Sequence, residues 1–558
     1  PMRRLNKNQI RMYRFPISRF VISVLAVCLL PLATQARGKD KGEFKLTPDR
    51  KLLMAEQVIE RFYVDSVDAG NMVQDAIVAM LKTLDPHSSY SDPEETKELT
   101  TPLEGNFSGI GVQFNMLNDT LFVIQTTSGG PSEKVGILPG DRIVQAGDSV
   151  IAGRKLPNSR IIKILRGPKG SEVDLKVLRR GEAEPIVFHV VRDDIPVYSV
   201  DAAYMADPTT GYIRVSRFGE ETDKEFEAAL EKLRKQGMQN LIVDLEDNGG
   251  GYLQAAHQLA SHFLDKGDMV VYTDAPKMGR TVYAVEKPGN FNKGRLVIMA
   301  NQYSASASEI LSGAVQDNDR GLIVGRRTFG KGLVQRPFPF PDGSMIRLTV
   351  SRYYTPSGRS IQKPYAPGDE ESYRKDMLHR YEAGEFSSAD SIHLPDSLRF
   401  ETLHNHRPVY GGGGIMPDLF VPIDTTAFTP YYRNLVAKGI LNRFCITYVD
   451  RNRSRLNREY PDVDAFIAKF SVDSAMMDDI VKLGVADSVK LDSAQLERSR
   501  PMIETIVKGV IARDLFDTSA YFRVVNPQLS PVYREALGLI NDERRYNKLL
   551  REGREFGK

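Results

Sequence analysis

The stretch 301–335 holds the residues best placed for chemistry. Ser304, Ser306 and Ser308 alternate with alanines at a point where a strand pattern gives way to a helix. Further on, Lys331 stands between Gly330 and Gly332, and Gln335 follows four residues later. A serine hydroxyl is a poor nucleophile at neutral pH and needs a base beside it. A lysine serves as that base only when neutral, and burial in apolar surroundings lowers its pKa. Phe329, Leu333 and Val334 supply such surroundings, and glycines on both sides of the lysine let backbone pack close. Gln335 is uncharged and can hydrogen-bond the amine, whereas a carboxylate there would favour the protonated, inactive form. Ser306 is therefore read as nucleophile, Lys331 as its base and Gln335 as the residue that orients the amine.

The same stretch resembles the core of the C-terminal processing peptidases, or tail-specific proteases, a Ser–Lys family. Their S-A-S-A-S-E, G-K-G and Q elements match Ser304 to Glu309, Gly330 to Gly332, and Gln335. The resemblance maps nucleophile, base and orienting residue onto Ser306, Lys331 and Gln335. Upstream, a buried-strand pattern at 240–245 runs into Glu246-Asp247-Asn248-Gly249-Gly250-Gly251 and then a helix. Such a turn exposes backbone N–H groups at a positive helix end. No Gly-Lys-Ser/Thr follows, so a nucleotide site is disfavoured. The turn resembles the family's D-L-R-x-N-x-G-G, which implies an oxyanion hole from the Gly250 N–H, with the Ala307 N–H as second donor. One departure stands out: Glu246 occupies the position where the family has arginine, leaving Arg326 or Arg327 to compensate.

Residues 105–195 resemble a PDZ domain. Phe107-Ser108-Gly109-Ile110-Gly111-Val112 leads an alternating strand, and Pro139-Gly140-Asp141 with Ile143 and Leu165-Arg166-Gly167 add further marks. PDZ domains add a peptide strand to a sheet edge and hold its terminal carboxylate on backbone N–H groups. Gly109, Ile110 and Gly111 are the expected capture loop, with Arg166 either sensing the carboxylate or sitting in an exposed turn. Leu84-Asp85-Pro86-His87-Ser88-Ser89-Tyr90 resembles a further signature of the same family. His87 there is read as part of a helix-ending turn rather than as a base.

Elements to position these residues follow from periodicity and composition. With 558 residues the chain is too long for one core, and length implies about three or four domains. Net charge is +3, without the strongly basic balance of a nucleic-acid binder. A basic start and an apolar run over 20–33 read as a secretory signal, residues 1–36. Cleavage would send the protein to the periplasm or outside the cell, and an uncleaved leader would anchor it in the membrane. The cysteines are Cys28, inside the leader, and Cys445; no disulfide is expected. Cys28 follows Val27 in mid-run and does not fit a lipid-attachment site. His404 and His406 do not make a metal site, and no metal or cofactor is called for.

The expected fold is α/β and multi-domain. Helices occupy 37–104, the PDZ-like, β-rich domain 105–195, and an α/β protease core 196–425, with a polar insertion at 363–410. A mostly helical extension covers 426–558 and carries no catalytic constellation; bracketing substrate, docking a partner and shaping an oligomer all remain open for it. The expected partners are unfolded or loosely folded proteins with free C-terminal tails. A homodimer through N-terminal or C-terminal helices is compatible with the pattern. Two other functions share parts of this pattern. One is a PDZ-bearing peptide-binding scaffold with a dead site, against which the joint presence of Ser306, Lys331 and Gln335 speaks. The other is a Ser–His–Asp hydrolase using His257 or His262, for which the G-x-S-x-G elbow is absent.

Overall fold

The computed structural model describes residues 46–553. The expected signal lies outside them. The chain divides into two units, residues 1–76 and 77–558. Among the described residues no helix is long and apolar enough to cross a membrane, and no His, Cys, Asp and Glu cluster could hold a metal ion.

In the first unit, a helix opens at Pro48, as Thr47-Pro48-Asp49 implies, and runs over Pro48–Phe62 with no buried residue. Leu52, Leu53, Val58, Ile59 and Phe62 are exposed on it. The helix Ala69–Lys82 begins in this unit.

The centre of the second unit is a six-stranded sheet. Its order is Val200–Met205, Thr210–Val215, Asn240–Asp244, Leu296–Ala300, Leu322–Gly325 and Leu419–Phe420. The first pair is antiparallel and the rest are parallel. Parallel strands buried on both faces read as continuous apolar runs, and here the two faces separate by alternation. Leu241, Val243 and Ile298 join the core built with the helices Thr222–Lys235, Leu253–Ser261 and Ala307–Asp317. Ile242, Val297 and Met299 point the other way, into a second core.

That second core is closed by the end of the chain. Val532, Tyr533, Ala536, Leu539, Ile540, Tyr546 and Leu549 pack on the sheet from the helices Pro531–Asn541 and Glu543–Glu552. Residues from Pro531 on thus complete the α/β core rather than extend it, while Ala520 and Val524 of the preceding helix join the helical core. The helices between Pro430 and Leu515 form a separate core around Leu435, Phe444, Cys445, Phe466, Ile480 and Val507.

The 105–195 region forms a sheet of order Val112–Leu117, Thr120–Thr126, Arg142–Ala146, Glu172–Leu178, Ile186–Val191, with Ser149–Val150 pairing the third strand. Leu121, Val123, Ile143, Ile161, Leu175 and Val177 fill its core. A further sheet carries the site strands Leu333–Pro339 and Met345–Tyr354, with Ser89–Ser91 along the latter.

Candidate active site

The sheet strand Leu296–Ala300 delivers the chain into the serine turn, and the helix Ala307–Asp317 leaves it. The three alternating serines divide by what their hydroxyls do. Ser304 Oγ donates to the Leu245 carbonyl at 2.7 Å, and Ser308 Oγ to the Asn248 carbonyl at 2.9 Å. Both are fully buried and fasten this turn to the glycine turn 246–251. Among the described residues, Ser306 Oγ donates to no protein atom. Ser306 adopts φ 57° and ψ −112°, a conformation costing a non-glycine residue about 1–3 kcal/mol, as is common at functional sites.

What holds that conformation is Glu309, a residue without an assigned role in the sequence reading. Its fully buried carboxylate accepts four hydrogen bonds. Oε1 takes the Thr328 hydroxyl at 2.5 Å and the Gly330 N–H at 2.7 Å. Oε2 takes the Ser306 N–H at 2.8 Å and the Lys331 N–H at 2.9 Å. One side chain thus grips the backbone of Ser306 and Lys331 together. Burial pushes this carboxyl's pKa up, and the donors pull it down. Tyr353 adds a second bridge, its hydroxyl lying 2.5 Å from the Lys331 carbonyl and 3.1 Å from that of Ser306. The sequence signal for Glu309 is the sixth letter of the S-A-S-A-S-E element; Tyr353 opens the run Tyr353-Tyr354-Thr355-Pro356-Ser357-Gly358.

The glycines around Lys331 act by close approach. A Cβ on Gly332 would sit 2.9 Å from the Gln362 backbone nitrogen, and Gly330 adopts φ +90° against Lys363 and Gly413. The 363–410 segment is therefore knitted to the base loop. Arg380 donates to the carbonyls of Arg327 and Thr328, and Gln362 accepts the Gly332 N–H. Lys363 Nζ lies over the rings of Phe329 and Tyr373. Lys331 itself is held at about pKa 8, first by burial and then by the Arg347 cation, with Glu309 and Asp85 opposing.

Gln335 sits differently from its expected role. Its Nε2 donates to Thr349 Oγ1 at 3.1 Å and to the Leu333 carbonyl at 3.3 Å, and no hydrogen bond joins it to Lys331. Thr349 passes the contact to Asp85 at 3.0 Å. Strand geometry explains the difference, since Gln335 follows a register shift on Leu333–Pro339 and pairs with Thr349. Nor does a hydrogen bond join Ser306 Oγ to Lys331 Nζ among the described residues.

The oxyanion expectation needs one correction. The Gly250 N–H is spent on Asn248 Oδ1 at 2.8 Å. Gly250 serves by shape instead, because a Cβ there would stand 2.8 Å from Ser306 Cβ and 2.9 Å from the Ala307 nitrogen. Among the described residues the N–H groups of Ala307, Gly249 and Gly251 have no hydrogen-bond partner, so donors remain on both the serine turn and the glycine turn. Glu246 meets Arg326 rather than Arg327, at 3.5 Å, while Arg327 pairs with Glu385 at 2.7 Å. Burial, with Asp244 adding to it, pushes the Glu246 carboxyl upward.

The histidines stand outside this group. His87 Nε2 contacts the Tyr373 hydroxyl at 2.9 Å, and burial, with the Lys331 charge next, pushes the imidazole down to about 3. His262 is held between Asp223 and Asn290, and His257 faces the Ala284 carbonyl.

In the PDZ-like sheet, Ile110 buries its side chain in the core. The Ile110 and Gly111 carbonyls accept the N–H groups of Ser132 and Thr127, and Gly111 adopts φ +73°. Strand Val112–Leu117 is an edge of its sheet. Arg166 lies over the Phe107 ring, 4.4 Å from its centroid.

Comparison with known proteins agrees with this layout. Peptidase family S41 matches residues 209–371, a PDZ domain matches 108–201, and a family of unknown function matches 431–517. A carboxy-terminal processing protease of Bacillus subtilis is 34% identical over 316 residues, 56% of this chain and 65% of that protein. A carboxy-terminal-processing protease of Bartonella bacilliformis is 35% identical over 305 residues, 54% of this chain and 69% of that one. The chain thus spans about two thirds of the length of these relatives. Among solved structures, a photosystem II D1 C-terminal processing protease is 28% identical and covers 57% of this chain and 91% of its own, with a TM-score of 0.32. The chain belongs to peptidase family S41, as a relative of the carboxy-terminal processing proteases.

Proposed function

We propose that this chain is a serine endopeptidase that captures protein C-terminal tails on its PDZ domain and cleaves peptide bonds with a Ser306–Lys331 dyad. One observation carries the reading: a single buried carboxylate, Glu309, binds the N–H of both Ser306 and Lys331. In the reaction, Ser306 Oγ attacks the carbonyl carbon and Lys331 Nζ takes its proton. That transfer requires the amine to close to about 3 Å of Oγ, a side-chain rotation on a loop already held in place. The N–H of Ala307 and one from the glycine turn 249–251 would receive the oxyanion, a donor being worth roughly 3 kcal/mol of barrier. The lysine then protonates the leaving amine, and water hydrolyses the acyl-enzyme. Gln335 acts through Thr349 and Asp85 on the wall of the site.

Ser306→Ala and Lys331→Ala should each abolish cleavage of an unfolded protein while leaving tail binding intact. Cleavage at the parent rate by either variant overturns the dyad. Tail binding without cleavage by the parent chain would leave the inactive scaffold.

The amine's pKa sets a pH profile. Because the base must be neutral, kcat/KM should rise about tenfold per pH unit below 8 and level off above it. Arg347→Met removes a cation that disfavours the ammonium, so the amine's pKa rises and the midpoint should move to higher pH. An unmoved midpoint would show that another group titrates.

Export and assembly belong to the same proposal. The basic, apolar start supports export to the periplasm, checked by fractionating cells that express the tagged chain; retention in the cytoplasm would sink it. The exposed apolar residues of Pro48–Phe62 support a homodimer, which Val58→Glu should convert to monomer in sedimentation equilibrium. A parent chain that sediments as a monomer would sink that.

A further inference from the structure

The helices that match a family of unknown function carry an outward pair at i and i+4. Ile446 and Asp450 lie on Ile440–Glu459, away from Phe444, Cys445 and Val449, which fill the helices' own core. Ile446 is buried by Phe122 and Ile124. These belong to the PDZ strand Thr120–Thr126, in which Leu121 and Val123 face the PDZ core. By strand alternation Phe122 and Ile124 face the opposite side, where a PDZ sheet standing alone would expose them to water.

Polar contacts ring this apolar patch. Arg142 of the PDZ domain bonds Asp450 at 2.9 Å and lies over the Phe122 ring. Arg180 donates to the Asp450 carbonyl at 2.9 Å, and Gln125 to the Arg513 carbonyl at 2.8 Å. Two helices, Ile440–Glu459 and Ser493–Leu515, thus meet one PDZ face.

The chain enters and leaves the PDZ domain through a two-stranded ribbon, Asn106–Gly109 against Asp193–Pro196. A domain held by one ribbon can swing about it; a second attachment removes that freedom. The attached face is not the binding edge, because Val112–Leu117 keeps its outer side without a partner strand among the described residues. The contact therefore fixes the domain while leaving the tail groove open. We propose that the 431–517 helices are a docking platform for the chain's own PDZ domain, and that a captured tail is presented productively to Ser306 while the domain is docked.

This rests on the peptidase reading, and the test separates the two. In the full chain, Phe122→Lys, Ile446→Lys and the double variant are compared with the parent. Substrates are an unfolded polypeptide with a free apolar C-terminus and its C-terminally amidated twin. Amide exchange is followed across Thr120–Thr126 and Ile440–Glu459, in each variant and also on a Ser306→Ala background. Each single substitution should speed exchange at the contact and raise KM for the free-tailed substrate by about fivefold or more, with cleavage of the amidated twin within about twofold. The double variant should match the singles, since the second change has no contact left to break. Unchanged exchange in both singles, additive effects, an equal loss on the amidated twin, or faster cleavage of the free tail would each overturn the platform. A parent chain that cleaves neither substrate overturns the peptidase reading, while exchange still reports the docking.

Discussion

A chain ending at residue 517 is expected to lose its six-stranded core and to accumulate as insoluble protein. The helices beyond that point supply Val532, Tyr533, Leu539, Ile540, Tyr546 and Leu549 to the core that covers Tyr212, Ile242, Val297, Met299, Leu322 and Val324. Each large apolar side chain returned to water costs about 1.5–3 kcal/mol, so the sum exceeds the 5–15 kcal/mol or so that separates a folded domain from its unfolded state. Polar contacts would be orphaned as well. The Tyr546 hydroxyl takes the Leu296 N–H at 3.1 Å and reaches its carbonyl at 3.0 Å. Arg295 Nε donates to the Ile540 carbonyl at 2.6 Å, and Asn526 Nδ2 to the Tyr204 hydroxyl at 3.0 Å. Soluble yield and a thermal melt of residues 46–517 beside 46–553 decide the matter. A soluble fragment with a cooperative transition at the parent temperature would show that the far face of the sheet needs no cover.

Glu309→Ala should cut kcat by about two to three orders of magnitude and lower stability by several kcal/mol. Its four donors are buried or nearly so, and each left unpaired costs about 1–3 kcal/mol. The catalytic loss has a separate origin. With the carboxylate gone, the strained Ser306 conformation loses its restraint and the base loop is no longer tied to it, and displacement by about 1 Å costs roughly 10²-fold. Glu309→Gln keeps the shape but turns an NH₂ toward backbone N–H groups or the Thr328 hydroxyl, so it should fall between parent and alanine in both measures. Urea unfolding and single-turnover kinetics on the same preparations separate stability from chemistry. A glutamine variant with parent stability and parent kcat would remove Glu309 from this role.

Much of the site was legible because local rules demand it. A serine flanked by alanines ahead of a helix, and a lysine between glycines, are patterns whose backbone needs are written in the residues themselves. Gly330, Gly332 and Gly250 are glycines because other backbone or Ser306 comes within about 3 Å of where a Cβ would stand. The alternation that splits Leu241 and Val243 from Ile242 was likewise present as an unbroken apolar run, marking a strand buried on both faces.

Partner choice was not legible, because it is settled between segments far apart in the chain. Gly250 and Gly251 look alike in sequence; the Asn248 side chain takes one N–H and leaves the other. Gln335 was placed beside the lysine by spacing, yet a register shift turns it to Thr349. Arg326 and Arg327 are adjacent, and the fold sends one to Glu246 and the other to Glu385. The polar stretch 363–410 resembled an insertion by composition, although Lys363 and Arg380 brace the base loop. Taken alone, the residues determined the serine turn, the glycine-flanked lysine loop, the two domain types and the apolar strand runs, since these depend on side-chain chemistry and local backbone freedom. Tertiary structure decided which donors stay unpaired, which carboxylate joins Ser306 to Lys331, and which helices close the sheet, because each of these is a competition for hydrogen bonds or apolar cover among distant segments.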